Sequence, residues 1–214
     1  METRAAQLHE HAQQLGVVLD DRQIGLLLGF ARLLEEWSAV HNLSAIRGEG
    51  GILTGHVLDS LAAVAPLARW AAGRSLRMLD VGSGAGLPGV ALAVARPDWS
   101  ITTVDAVAKK AAFVRQVAGE LGLDNLEPLH ARVEALPPHA RFDVVISRAF
   151  AGLSAFVAAT RNRLAPAGVW LAMKGQRPDR EIASLPATAS VFHVEPIQVP
   201  GLHAARCLVW IRPN

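Results

Sequence analysis

The stretch that most restricts how this chain can fold is Leu76-Arg77-Met78-Leu79-Asp80-Val81 followed by Gly82-Ser83-Gly84-Ala85-Gly86-Leu87-Pro88-Gly89. The first half is a short apolar run suited to a buried parallel strand. The second half sets glycines at 82, 84, 86 and 89. Val90 to Ala95 then reads as an alanine-rich helix that ends before Pro97. Strand, glycine turn and helix together form a unit that holds nucleoside-bearing ligands, because glycine lets the backbone approach without a Cβ in the way.

The spacing bears on which ligand. A dinucleotide fingerprint needs a third glycine where this chain has Leu87,. The chain instead reads Asp-x-Gly-x-Gly-x-Gly, with Asp80 two residues before Gly82. A pyrophosphate prefers bare amides at a helix N-terminus, and an acid there would repel it. A sulfonium carrying an α-amino group would be favoured. The pattern therefore points to S-adenosylmethionine over NAD, with Gly82 and Gly84 as candidate contacts and Asp80 as a candidate for orienting the donor loop or for a purely structural role. The bland alternative is a tight turn that binds nothing.

A second acid agrees. Trp99 to Val104 reads as the next strand, closed by Asp105, 23 residues after Gly82. An acid about 20 residues on, at the end of the second strand, accepts hydrogen bonds from ribose hydroxyls. Asp105 would also serve as an N-cap for the following helix.

At 214 residues the chain suits one ordinary domain plus an extension. No continuous apolar run reaches the ~18 residues of a bilayer span, so no membrane association is expected. Met1-Glu2-Thr3-Arg4 leads into polar residues, so no signal peptide is expected,. The single Cys207 excludes an internal disulfide and suits a reducing cytoplasm. The eight histidines show no metal-ligand spacing, and no metal is expected. Net charge is only +2, but there are 8 basic and 11 acidic side chains up to residue 107, and 13 and 8 beyond it. Arg141, Arg148, Arg161, Arg163, Lys174, Arg177 and Arg180 face only Asp143 and Asp179 in their segment. Such an excess is the footprint of a polyanion, although scattered charges often do no more than solvate a face.

Residues 1–72 read as helical and 73–214 as alternating strands and helices. Asp20 or Asp21 caps a helix towards Val40 with Ile24, Leu27, Leu28, Ala31, Leu34 and Trp37 inward,. A second amphipathic stretch runs from Ile52 to Trp70, where His56 and Asp59 share a face, more plausibly for a structural hydrogen bond than as a catalytic dyad,. Later elements are a helix from Ala108 to Leu121, strands Leu126 to Arg132 and Phe142 to Ser147, and a helix from Leu153 to Leu164 stopped by Pro166 and Gly168. Strands Val169 to Met173, Ser190 to Val194 and Arg206 to Arg212 follow. The expectation is an α/β fold, Rossmann-like, with a mostly parallel seven-stranded sheet and an N-terminal helical extension. Open sheets of this kind bind ligands beyond the carboxyl ends of their strands. That edge collects Gly82 to Gly86, Asp105, Val133, Glu134, Ser147, Arg148 and Lys174, beside the basic segment, so a nucleic-acid substrate is expected.

The chain resembles the RsmG (GidB) family of 16S rRNA guanine-N7 methyltransferases. The resemblance rests on Asn42-Leu43-Ser44, His56-Val57-Leu58-Asp59-Ser60, Asp80 through Gly89, Arg132-Val133-Glu134, Ser147-Arg148-Ala149-Phe150 and Lys174-Gly175-Gln176. These pieces run in order across about residues 20–212. The glycine motif alone marks only the broad class I methyltransferases. Ser44 often corresponds to Thr in the family, and Ser83 and Ala85 to Thr and Pro.

The resemblance implies that Gly82, Leu87, Val133, Glu134 and Arg148 hold S-adenosylmethionine. It also implies a cytoplasmic enzyme, expected as a monomer, acting on 16S rRNA or the small ribosomal subunit. Val133-Glu134 would flank the adenine. Arg148 would face the ligand or the rRNA, with a salt bridge to Asp143 or Glu134 as the bland alternative. Phe150 would stack on a base or pack in the core. No general base is expected, since guanine N7 carries a free lone pair; Arg148 is a candidate for positioning only. The competing readings are a small-molecule or protein methyltransferase and a donor-binding sensor without turnover. A nicotinamide dehydrogenase is disfavoured by Leu87.

Overall fold

A reciprocal cap starts the N-terminal helical layer. Asp20 Oδ1 accepts the Gln23 amide proton at 2.7 Å, and Gln23 Oε1 accepts that of Asp20 at 2.9 Å. Two otherwise orphaned amides are thereby satisfied at the head of a helix. The computed structural model describes residues 2–41, 43, 46, 48–148 and 150–214; Asn42, Ser44 and Ala149 of the family pieces lie outside these. Helix α1 spans Glu2–Gln14 and α2 spans Asp21–His41. Of the inward residues expected on α2, Ile24, Leu27, Ala31 and Leu34 are buried, and Leu28 and Trp37 pack partly buried against them.

The second helical stretch is not one regular helix. α3 (Glu49–Ile52) passes through a π-helical turn (Leu53–Leu58) into α4 (Asp59–Leu61), and α5 (Val64–Ala71) follows. By length and composition the helical run Gly50–Ala71 is apolar enough to cross a bilayer, yet 61% of its most apolar window is buried inside the fold. Val57, Leu61, Val64 and Leu67 are in the core.

From residue 77 strands and helices alternate as read. They are β1 (Arg77–Val81), α6 (Gly89–Ala95), β2 (Ser100–Asp105), α7 (Ala108–Leu121), β3 (Leu126–His130), β4 (Phe142–Ser147), α8 (Leu153–Thr160), β5 (Leu164–Lys174), α9 (Asp179–Ala183), β6 (Ala189–Ile197) and β7 (Arg206–Pro213). The seven strands lie in the order β3-β2-β1-β4-β5-β7-β6. The pairs among β1 to β5 are parallel, and β7 is antiparallel to both β5 and β6.

Several expected boundaries move, β6 widening to Ala189–Ile197 among them. The third strand ends at His130, and the next helix gives way at Arg161–Arg163 to a 3-10 turn, with β5 starting at Leu164. Pro166 and Gly168 do not terminate an element; they sit in a bulge, where pairing jumps from Phe142↔Leu164 to Val144↔Val169. A Cβ on Gly168 would lie 2.9 Å from the Phe142 carbonyl oxygen. Glycine is therefore needed where one backbone crosses close to the other.

Alternate residues of the central strands feed two cores, one on each face of the sheet. Met78, Val144 and Ile146 join α1, α2, α6 and α7 on one side; Leu79, Val81 and Val145 join α8 on the other. The first core runs from Leu8 to Trp210, so the N-terminal helices and the sheet share one apolar interior. Gln23 also reaches the C-terminal end of α6, donating to the carbonyls of Val94 (2.8 Å) and Ala95 (3.3 Å).

Candidate active site

The carboxyl ends of β2 and β4 flank that of β1, which leads into the glycine turn, and two carboxylates fix the shape of the turn. Gly82 and Ser83 donate to the Val104 carbonyl at 2.9 and 3.3 Å, carrying β1–β2 pairing into the turn. Asp105, at the end of β2, accepts from the Gly84 amide at 2.9 Å and the Val107 amide at 2.8 Å. It thus ties the middle of the turn to the start of α7, while its two oxygens keep lone pairs for a ligand hydroxyl. Asp80 Oδ2 accepts from Gly89, the first residue of α6, at 2.8 Å. At Gly82 φ is +67° and the space a side chain would fill is open, so ligand atoms can approach bare backbone there.

Asp80 is fully buried, and its Oδ1 has no hydrogen-bond partner among the described residues. Burial pushes its carboxyl up to about 7, against the opposing pull of the Gly89 amide and Arg148 and with a further push from Asp105. Near neutral pH this group is poised between its two forms, and a cation brought nearby favours the ionised one.

Beyond the turn lies a cleft of about 220 Å³ lined by Val81, Gly82, Val104, Asp105, Ala106, Ala131, Arg132, Val133, Glu134 and Phe150. It gathers four of the sequence candidates, Gly82, Asp105, Val133 and Glu134. Phe150 belongs to both readings given it: it lines the cleft and packs on Phe156 at 5.4 Å. Gly84 and Leu87 do not line it. Gly84 stands behind, bound to Asp105, and Leu87 is in the core beneath the turn.

Arg148 lines a second cavity, of about 350 Å³, with Ile46, Gly55, His56, Asp59, Met173, Lys174, Gly175 and Arg206. Its expected alternative partners are corrected. Asp143 Oδ2 accepts from the Arg77 amide at 2.8 Å, and Arg148 faces Asp59 Oδ2 at 3.5 Å instead. Burial and the nearby Arg148 charge lower His56 to about 4, so His56 is neutral in the physiological range. His56 and Asp59, which sequence spacing placed on one helix face, both line this cavity.

Part of the basic segment has structural work. Arg163 is buried and donates to the carbonyls of Pro137 (2.7 Å) and Glu134 (3.3 Å), the latter holding up the wall of the first cleft. Lys174 pairs with Glu181 at 2.8 Å, and Arg177 with Asp179 at 2.6 Å. Arg206 was missed as a site residue because it lies in a strand 58 residues beyond Arg148; only the antiparallel β5–β7 pairing brings it to this edge. Among the described residues no group of three or more His, Cys, Asp or Glu gathers as a metal site would require.

Comparison with known proteins follows the same outline. A family model described as rRNA small subunit methyltransferase G (GidB) matches residues 23–209. A ribosomal RNA small subunit methyltransferase G from Acidovorax sp. (strain JS42) is 55% identical over 214 residues, covering 96% of this chain and 94% of that one. One from Methylibium petroleiphilum is 54% identical over 204 residues, covering 95% and 92%. Among solved structures, a Burkholderia thailandensis 1,6-didemethyltoxoflavin-N1-methyltransferase with bound S-adenosylhomocysteine superposes with a TM-score of 0.59 at 16% identity, over 87% of this chain and 89% of that one. At that identity the likeness shows the fold.

Proposed function

Since the chain belongs to the rRNA small subunit methyltransferase G (GidB) family, we propose that it transfers a methyl group from S-adenosylmethionine to N7 of one guanine in 16S rRNA. The observation that carries this reading is the glycine turn, held in its middle by Asp105 and at its helix end by Asp80 and opening on one side to the Val133–Glu134 cleft. An acid behind the turn repels a pyrophosphate and favours a sulfonium with its ammonium group. The buried Asp80 Oδ1, without a hydrogen-bond partner among the described residues, lets a bound cation draw that carboxyl into its ionised form,.

In this reading Gly82, Asp105, Val133 and Glu134 hold the adenosine part of the donor, with Asp105 on the ribose. Gly84 and Leu87 act through the backbone of the turn, and Asp80 sets the charge beneath it. Arg148 positions the reacting groups from the second cavity. Its cationic wall, with Lys174 and Arg206, suits an RNA approaching from that side. The residues 1–72 form an extension and 73–214 the methyltransferase domain, acting as a monomer in the cytoplasm, where ribosomal subunits are assembled.

The chemistry asks little of the protein by way of proton transfer. The in-plane N7 lone pair forms the new N–C bond as the S–CH₃ bond breaks, and the bonding pair returns to sulfur. Positive charge passes from sulfonium to purine, and no proton moves. Catalysis then consists of alignment and of a charge environment matched to that passage.

The test is transfer of a labelled methyl group to stripped 16S rRNA and to small-subunit particles, both from cells lacking the gene, with the modified base mapped. Label at a single guanine N7 is expected, with a rate that falls as salt rises. Donor binding without label on either RNA would move the assignment to a small-molecule methyltransferase or a sensor.

A further inference from the structure

Asp59 comes from the helical extension, yet it organises the cations of the second cavity. It begins α4 immediately after the π turn and is only 4% exposed. Its Oδ1 accepts from Arg206 Nε at 2.6 Å, and its Oδ2 lies 3.5 Å from an Arg148 terminal nitrogen. Lys174, the other cation of the cavity, has its own carboxylate in Glu181. Asp59 therefore serves two guanidiniums, and one positive charge is left over. A cluster with surplus charge, its carboxylate buried and its two guanidiniums 23% and 27% exposed, is a poor device for stability, because desolvation of the carboxylate offsets its attraction. Such a cluster makes sense where the surplus faces a ligand.

The forces on Arg148 come from two sides. Asp59 pairs with it from the helical extension and shares that carboxylate with Arg206. On the other side its chain neighbour Ser147 donates to the carbonyl of Val81, a residue of the donor cleft, at 2.9 Å, and the Asp80 charge under the glycine turn favours the guanidinium. We propose that Asp59 is a positioning residue for the transfer reaction, holding Arg148 at the boundary between the donor cleft and the cationic cavity and so making the N-terminal extension part of the active site. This rests on the methyltransferase reading above. Without Asp59, Arg148 loses its nearest anion, is pushed by Arg206, and moves towards Asp80, where it takes the place of the donor's own positive charge.

The experiment compares full-length wild type with Asp59→Asn, Asp59→Glu, Arg206→Gln and the Asp59→Asn/Arg206→Gln pair. The readouts are melting temperature, KM for S-adenosylmethionine, and kcat on the rRNA substrate. Asp59→Asn is expected to raise the donor KM on the order of 10–100-fold, by analogy with the loss when the supporting partner of a metal ligand is removed, with a smaller fall in kcat. Asp59→Glu should recover part of the loss. The double variant should also bind donor better than Asp59→Asn, since the repelling guanidinium is gone; a merely structural ion pair would show its recovery in melting temperature alone, with the donor KM unmoved in every folded variant. Should Asp59→Asn fail to fold, Arg206→Gln decides alone. It leaves Asp59 wholly to Arg148 and removes the repelling charge, so the donor KM should fall; an unchanged or raised donor KM in it overturns the proposal. A folded Asp59→Asn with wild-type KM and kcat overturns it equally, while the functional reading stands. Wild-type protein that binds no donor overturns both.

Discussion

Asp80 Oδ2 accepts the amide proton of Gly89 at 2.8 Å, so a carboxylate in the centre of the sheet fixes the first residue of the helix after the glycine turn. The packing there admits no side chain. A Cβ on Gly89 would stand 2.5 Å from Thr103 Cγ2 on the neighbouring strand and 3.0 Å from Asp80 Oδ2. Gly89→Ala should therefore lift α6 off the sheet and strain the turn, at a cost of about 1–3 kcal/mol. A melting temperature several degrees lower is expected, together with weaker donor binding. A variant that melts with the wild type would show that the turn yields more easily than its contacts imply.

The pH dependence of stability contains two opposed contributions from this site. Asp80 is raised from 3.8 to about 7, so between those values the folded protein keeps a proton that the unfolded chain has released. Stability therefore falls as pH rises through that window and levels off above it. His56 is lowered from 6.5 to about 4, so there the unfolded chain carries a proton that the folded one refuses, and stability rises with pH over its window. Over the shared range the two slopes oppose each other. Asp80→Asn keeps an acceptor for Gly89 and removes one slope; its stability relative to wild type should climb by up to about 1.4 kcal/mol per pH unit until the Asp80 window closes. His56→Gln should show the reverse trend. Chemical denaturation at several pH values measures both, and parallel profiles for all three proteins would refute the assignment.

The strand–turn–helix unit, the acid at 105 and the parallel sheet were legible in the sequence because each depends on neighbours in the chain: apolar runs, glycine spacing and an acid at a strand end. Val133 and Glu134 were placed at the cleft for the same reason, since they follow a strand at its carboxyl end. The partner of Arg148 was not legible. It lies 89 residues earlier, on a distorted helix, and depends on how the extension docks on the sheet edge. The β5 bulge was also hidden, because Pro and Gly read locally as breakers and only the adjoining strand shows that they are accommodated.

Gly82→Asp separates folding from binding. At φ +67° an L-residue costs about 1–2 kcal/mol, but no atom lies within 4 Å of the added Cβ. Aspartate is among the residues that tolerate this conformation. The fold should persist at somewhat lower stability while a side chain enters the cleft where ligand atoms would meet bare backbone. Calorimetry with S-adenosylhomocysteine should then register no binding; retained affinity would remove Gly82 from the site.

Gln23 joins two jobs in one side chain, capping α2 and holding the end of α6. Gln23→Ala removes the return half of the capping box and leaves the Val94 and Ala95 carbonyls without that donor. A loss of about 1–3 kcal/mol is expected. If the extension docks as described, hydrogen exchange should speed up in both α2 and the C-terminal turn of α6. Faster exchange confined to α2 would mean that the cap matters and the docking contact does not.

Arg148→Ala tests the electrostatic links around the site as well as its activity. Asp59 keeps Arg206 as a partner at 2.6 Å, so the carboxylate is not orphaned and the fold should survive. The Arg148 charge is the second cause, after burial, of the low His56 value, and it also restrains the rise of Asp80. Removing it should let His56 move up from about 4. It should also send Asp80 higher than about 7, so that the protein stays protonated there at neutral pH. On the proposed role of ionised Asp80 as the counter-charge of the donor, methyl transfer should fall, and the part of the loss due to Asp80 should be recovered by raising the pH. Imidazole titration by NMR and transfer rates at pH 7 and above check these points together. A variant with wild-type turnover and an unmoved His56 would show that Arg148 acts on neither group.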